Sequence, residues 1–569
     1  MHSKLRARPC PSARVLDQQY SSQDTAMKHG FMLAGGLLAL AASCHAAPAA
    51  APAADKNMIR AHLNFLADDL LEGRETGSRG YDIAARYVAA QFMQYGVKPM
   101  GDKGGYQQLV PLRATRLVQE SPVVELRSKA GSETLAYLDD YAVSGSLLQD
   151  QSEVSAPLIF VGYGIQAKAF GYDDYANIDV KGKIVVTLAG KPSRLPTEEG
   201  AHFASGDHKR AIAARYGAVG TVTLQTPVSE KAAAFSKNRD YRFIPSMSWV
   251  DLEGEAAREE AALQNRISLS IPASKKLFAH SGGASLDDIY ALAEANKPVP
   301  HMDLNMSMRM FKKSVRNDVA STNVVGMIEG SDPKLKNEYV VFTAHLDHLG
   351  QVKERSGDNI FNGAMDNASG VATLIETARM FAQSGARPKR SILFIALTGE
   401  EKGLLGADYF AHNPTVPVRS IVANVNLDMP LLVFDFNDVM AFGAQHSTLK
   451  GIATRALAKM NMTLIPDPWP ELGLFTRSDH YMFVRQGIPS IFLATGMGSA
   501  NKDENPGKLW GDFLSKRYHQ PNDDLTQPFN FDAAARFAQL NYNIALEIAD
   551  TPARPAWNKG DFFGDTFSK

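Results

Sequence analysis

The stretch SILFIALTGEEKG, residues 391–403, sets an apolar run at 392–397 against two adjacent carboxylates, Glu400 and Glu401. The run reads as a strand buried on both faces, ended by Thr398-Gly399. Side chains of neighbouring residues in extended backbone point apart, so one carboxylate can bind a metal while the other handles the proton of a water. An isolated Glu-Glu pair would ordinarily be a solvated loop. The chain on either side argues otherwise.

From residue 323 onward, strand-like and helix-like segments alternate. An apolar run at 338–344 ends at His345-Leu-Asp347-His348, and 369–381 has the spacing of a helix. A helical turn follows at 404–410, a strand at 421–427 ends at Asp428, another strand spans 488–494, and a closing helix covers 531–548. This order predicts an α/β fold with a doubly wound, mostly parallel sheet whose strands deliver their C-terminal ends to one edge. Ligands bind at that edge.

His345, Glu400, Glu401 and Asp428 all fall at or just past strand ends. Asp366 lies in the Gly-bounded loop NGAMDNASG, 362–370, and His519 in the late loop RYHQP, 517–521. Singly, each could be a hydrogen-bonded loop residue. Together, mixed nitrogen and oxygen donors at one edge favour a metal site, and such donors suit zinc at roughly 2.0–2.2 Å.

Upstream, 58–71 and 83–95 carry helical spacing around LEGRETGSRG, 71–80, a loop whose role local pattern does not reveal. Short strand-like runs at 108–112, 123–126, 157–161, 183–188 and 221–224, with a helical patch at 209–216, suggest a compact mixed α/β or β-rich module. No nucleophile, metal cluster or phosphate loop stands out in that module, which reads as a binding or lid element. The protein has 569 residues, 45% hydrophobic and 21% charged, with a formal net charge of −1. That length calls for two or more domains. The balance gives no electrostatic case for nucleic acid or an acidic membrane surface.

Met27-Lys28-His29, the apolar 31–40 and the small residues 41–47 have the layout of a secretory signal, which predicts a periplasmic or secreted protein without a stable membrane span. A lipid anchor at Cys44 is the rival reading of the same segment. Both cysteines, Cys10 and Cys44, lie in this leader, so the mature chain would hold no intrachain disulfide.

Residues 323–550 resemble the catalytic domain of the two-zinc exopeptidases that include bacterial leucyl aminopeptidases and glutamate carboxypeptidase. The resemblance rests on AHLDH (344–348), GAMDNASG (363–370), TGEEKGLLG (398–406), NLD (426–428), SDHYMF (478–483) and YHQPNDD (518–524), in family order. SAPLIFVGYGI (155–165), YDDYANIDVKGKIVV (172–186) and RYGAVG (215–220) resemble the protease-associated (PA) domain often inserted in that family, and 62–80 resembles the start of its peptidase domain. The implied organisation is a leader and linker at 1–54, peptidase residues at 55–135, a PA insert at 136–300, the catalytic zinc domain at 301–552 and a tail at 553–569.

Position by position, the resemblance implies two Zn2+ ions, one held by His345 and Asp428, the other by Glu401 and His519, with Asp366 bridging and Glu400 as general base. Asp347 is then expected to orient an imidazole, and His348 to line the pocket or support a ligand. Asp479 and His480 could orient the site or touch substrate. Arg477 could meet a substrate carboxylate, and 469–475 could line a specificity pocket or pack in the core. The implied activity is removal of N-terminal residues from peptides. A carboxypeptidase or dipeptidase on the same scaffold, or a non-catalytic receptor-like relative, are the alternatives, and oligomeric state is left open.

Overall fold

Seven residues in a row, Ser391–Leu397, are fully buried, as only a strand covered on both faces allows. The computed structural model describes residues 53–257, 260–279, 281–384 and 387–568. The leader readings at Met27, Cys10 and Cys44 lie outside the described residues.

In chain order, helices α1 (Lys56–Leu66) and α2 (Arg79–Tyr95) lead into β1 (Gln107–Leu117) and β2 (Val123–Ser128). Ser78 caps α2 by accepting from the Tyr81 N–H, and Gly96, at φ 73°, closes it. Then come β3 (Gln151–Phe160), β4 (Ile184–Leu188), α3 (Thr197–Ala204), β5 (Gly220–Leu224) and β6 (Asn265–Leu269). The 27-residue β7 (Met302–Ile328) precedes β8 (Tyr339–His345), α4 (Ser369–Gln383), β9 (Ser391–Leu397) and β10 (Ile421–Leu427). The chain closes with β11 (Asp438–Phe442), β12 (Ser490–Thr495), α5 (Phe531–Asp550) and α6 (Phe562–Phe567).

At the centre of the first sheet, β8 runs parallel to both β9 and β10, and β10 runs parallel to β12. Antiparallel strands flank these four, β7 beside β9 and β11 beside β12. Helices α1, α2, α4 and α5 pack on one another and share an apolar core with these strands. The expected mixed α/β fold with a mostly parallel central sheet is therefore present.

A second apolar core runs from Val124 to Met310. In it β3, β4, β5 and β6 are mutually parallel in that order. The expected division at 300/301 falls at the head of β7, which belongs to both cores. Its first half alternates, with Leu304, Met306, Met308 and Met310 buried against β2 and β3. Its second half pairs with β1 and β9, and Val324 and Val325 are fully buried there. One strand thus changes from burial on one face to burial on both as it passes between sheets. Among the described residues, no helix is long and apolar enough to cross a membrane.

The second unit is also fastened at its far side. His446, in the segment after β11, lies between Glu198 of α3, bonded to its Nε2, and Asp561 at the cap of α6, 2.6 Å from its Nδ1. Phe475 and Phe563 pack against the same ring. Burial alone would lower its pKa, but the two carboxylates raise it from 6.5 to about 9. A raised folded pKa gives stability that is fully present below pH 6.5 and is lost as the pH rises through 9. The shift corresponds to ~3 kcal/mol at most. His446→Gln should therefore melt well below wild type at pH 6, and the gap should narrow by pH 9.5. A gap independent of pH would show that packing, not charge, holds this junction.

Candidate metal centre

Three parallel strands bring their C-terminal ends together. His345 is the last residue of β8, Asp428 follows β10 directly, and Glu400 and Glu401 follow β9 after a turn through Gly399. Asp366 enters from the loop before α4, and His519 from a loop that holds it at φ 58°. All six residues expected from the sequence meet at this edge.

His345 Nε2 lies 3.2 Å from Asp428 Oδ1 and 3.3 Å from Asp366 Oδ1. On the opposite side of Asp366, His519 Nε2 is 3.3 Å from Asp366 Oδ2 and 3.1 Å from Glu401 Oε2. Asp366 therefore faces one imidazole with each carboxylate oxygen. His348 also enters this second group, its Nδ1 2.6 Å from Glu401 Oε1 and 3.9 Å from Asp366 Oδ2. Among the described residues, Asp366 Oδ2, Glu401 Oε1 and both ring nitrogens of His348 are buried without a hydrogen-bond partner. Two sets of donors lie close enough to hold an ion: His345, Asp366 and Asp428, and His348, Asp366 and Glu401. Buried nitrogen and carboxylate donors, several of them unsatisfied, fit divalent cations of zinc's ligand preference.

The adjacent carboxylates differ electrostatically. Burial, with the charges of Asp428 and Glu401, raises Glu400 well above the usual carboxylate range. Burial also works against ionised Glu401, but the charges of His519 and His348 pull it well below that range. Environments that push two neighbouring acids apart separate a proton-handling group from an anionic one.

The shell around these groups was only partly legible. The Asp347 carboxylate accepts from the Glu400 N–H at 3.1 Å, the Glu401 N–H at 3.3 Å and the Thr76 hydroxyl at 3.1 Å. It fixes the Glu400–Glu401 backbone, whereas the carbonyl of Asp347, 3.1 Å from Nδ1, orients the His345 ring. This differs from the expected imidazole partner because two buried N–H groups at the turn compete for the carboxylate. Asp428 is set by the Ser478 hydroxyl, which donates at 2.6 Å and itself receives the Asn426 amide. Asn367 donates to Leu427 O and accepts from the Gly370 N–H, tying the Asp366 loop to β10.

Two supporting residues were missed. Asp523 accepts from the N–H groups of Met365 and Asp366, and burial raises its pKa to about 6. It stands within YHQPNDD, so the motif carried a signal for it. Arg74, fully buried, donates to the carbonyls of Leu66, Leu346, Asn362 and Gly363 and pins together the loops carrying His345 and Asp366. In a Gly-rich polar loop such an Arg reads as exposed.

A cleft of about 560 Å3 opens beside the centre and is lined by Asp366, Glu400, Asp428, Arg477, Tyr518 and His519. The segment between β5 and β6 also lines it, through Gln225, Phe235, Lys237 and Tyr241. Arg477 is exposed, whereas His480 is buried between Phe475 and Phe492 and burial lowers its pKa to about 3. The 469–475 segment divides: Leu472 and Leu474 line the cleft, and Phe475 packs in the core.

A protein named probable leucine aminopeptidase 2, from Aspergillus oryzae, is 27% identical over 291 residues, covering 48% of this chain and 53% of that protein. One named probable zinc metalloprotease, from Pyrenophora tritici-repentis, is 38% identical over 260 residues, covering 41% of this chain and 58% of that one. The chain spans about half the length of the curated relatives it matches. The solved aminopeptidase from Aneurinibacillus sp. strain AM-1 shares the fold, with a TM-score of 0.51 and 19% identity over 90% of this chain and 97% of that one. Residues 323–545 match the sequence profile of peptidase family M28.

Proposed function

We propose that this protein is a zinc-dependent exopeptidase that removes N-terminal residues from peptides. The observation that carries this reading is the buried convergence of His345, Asp366, Asp428, Glu401 and His519 beside Glu400 on the wall of an open cleft. In this reading His345 and Asp428 would hold one ion and Glu401 and His519 the other, with Asp366 shared between the two sets. When bound, the zinc pair supplies Lewis acidity to the scissile carbonyl and makes a water acidic enough to react near neutral pH.

The chain's own residues do the rest. Glu400, with its raised proton affinity, takes the proton of the attacking water at its carboxylate and returns it to the leaving amine. Tyr518 lines the same cleft with its phenol held protonated by burial, and it can donate to the oxygen that gains charge in the transition state. Asp347 keeps the Glu400 backbone from shifting as that proton moves. Acidic groups at the cleft floor suit an α-ammonium, and the names of the relatives support an aminopeptidase. Exposed Arg477 in the same cleft is the observation that favours a carboxypeptidase or dipeptidase instead.

The segment 155–220 supports a PA-like insert that narrows the cleft, and the basic and apolar residues 27–40 support export to the periplasm or beyond.

Peptides blocked at one end test the polarity of the reaction. Cleavage should need a free N-terminus, with about two zinc equivalents in the active protein. Cleavage that needs only a free C-terminus would replace the aminopeptidase reading with the carboxypeptidase. Glu400→Gln should keep both metals and lose at least about a hundredfold in kcat, whereas Asp366→Ala should lose metal. Equal metal loss in the two variants would reject the division of roles. Tyr518→Phe should lower kcat by roughly a hundredfold at unchanged metal content, and an unaffected kcat would remove Tyr518 from the chemistry.

A further inference from the structure

We propose that His348 is itself a metal ligand, so that the second metal position has four protein donors and the first has three. The inference rests on the two-metal reading above and adds a residue that reading does not use.

His348 is wholly buried, and neither of its ring nitrogens has a hydrogen-bond partner among the described residues. A buried imidazole that served only the core would be expected to have one. Its Nδ1 lies 2.6 Å from Glu401 Oε1 and 3.9 Å from Asp366 Oδ2. His519 approaches the other oxygen of Glu401 and the same oxygen of Asp366. The two imidazoles, with ring centroids 5.8 Å apart, therefore converge on one pair of carboxylates.

The ring is also held in place. The His348 N–H donates to Arg74 O at 3.3 Å, which fixes the backbone. Gly363, at φ 58°, lies flat against the imidazole, and a Cβ there would fall 2.5 Å from His348 Cγ. Glycine at 363 thus serves the ring as well as the turn. His348 is placed as tightly as a ligand must be to give useful affinity.

The consequence is asymmetry. His345, Asp366 and Asp428 supply one nitrogen and two carboxylates and leave an open coordination position, as in catalytic zinc sites. His348, His519, Glu401 and Asp366 would supply two nitrogens and two carboxylates, the four donors that fill a tetrahedral zinc site. The second position should fill first and hold its ion longer, while substrate and water meet the first.

The experiment is a calorimetric titration of the chelator-stripped full chain with Zn2+. Wild type should show two unequal classes of site. His348→Ala should weaken the tighter class by at least about tenfold and leave the weaker one, whereas His345→Ala should do the reverse. An unchanged tighter class in His348→Ala overturns the proposal, and His348→Gln provides the same reading if the alanine variant does not fold. The unmodified protein loaded with Co2+ gives a reading that needs no variant: three hyperfine-shifted imidazole N–H resonances are expected, and two would exclude His348. Absence of metal binding in wild type would instead sink the zinc reading as a whole.

Discussion

Six carboxylates, those of Asp347, Asp366, Glu400, Glu401, Asp428 and Asp523, crowd one edge of the central sheet, and the arrangement of that edge follows from their mutual repulsion. Two like charges 4 Å apart cost about 4 kcal/mol at an effective dielectric near 20, so a cluster of six cannot be left to itself. The fold divides them. Asp347 and Asp523 are spent on backbone N–H groups, which turns their charge into anchors for the Glu400 turn and the Asp366 loop. The remaining four face the imidazoles of His345, His348 and His519 or the open cleft. The Arg74 guanidinium donates to backbone carbonyls, and its buried charge also interacts favourably with Asp347, Asp523, Asp366 and Glu401, which offsets part of their repulsion and leaves the rest to the imidazoles and to cations.

What could be read in advance followed from local rules. Apolar runs that end in His, Glu or Asp announce buried parallel strands with functional ends, because strand burial and edge placement are both encoded within a few residues. The support of the site was not local. The Arg74 guanidinium meets carbonyls more than 270 positions away in the sequence, at Leu346, Asn362 and Gly363, and nothing in the periodicity of LEGRETGSRG indicates that. His348 was set aside for a related reason. His345 and His348, three residues apart, cannot be ranked as ligands until the turn after β8 folds the second ring back toward Glu401.

The strand β7 was obscured by its own length. Its alternating Leu304, Met306, Met308 and Met310 are a clear half-buried pattern, but a strand of average size would have ended before Asn323. The boundary expected at 300/301 stands at the head of this strand, whose first half pairs in one sheet and whose second half pairs in the other. The two cores are therefore joined by a ladder rather than by a linker, and a ladder transmits position.

That joint bears on the cleft. Its lining joins the strand-end edge of the first core to Phe235, Lys237 and Tyr241, which come from the segment between β5 and β6. β7 holds the two cores at one side of the molecule, and the His446 junction with Glu198 and Asp561 holds them at another. A wall fixed at two separated points cannot swing freely, so the width of the cleft is set by packing between the units. Changes among the residues of that segment can then alter the shape of the cleft while the strand-end groups of the first core stay as they are.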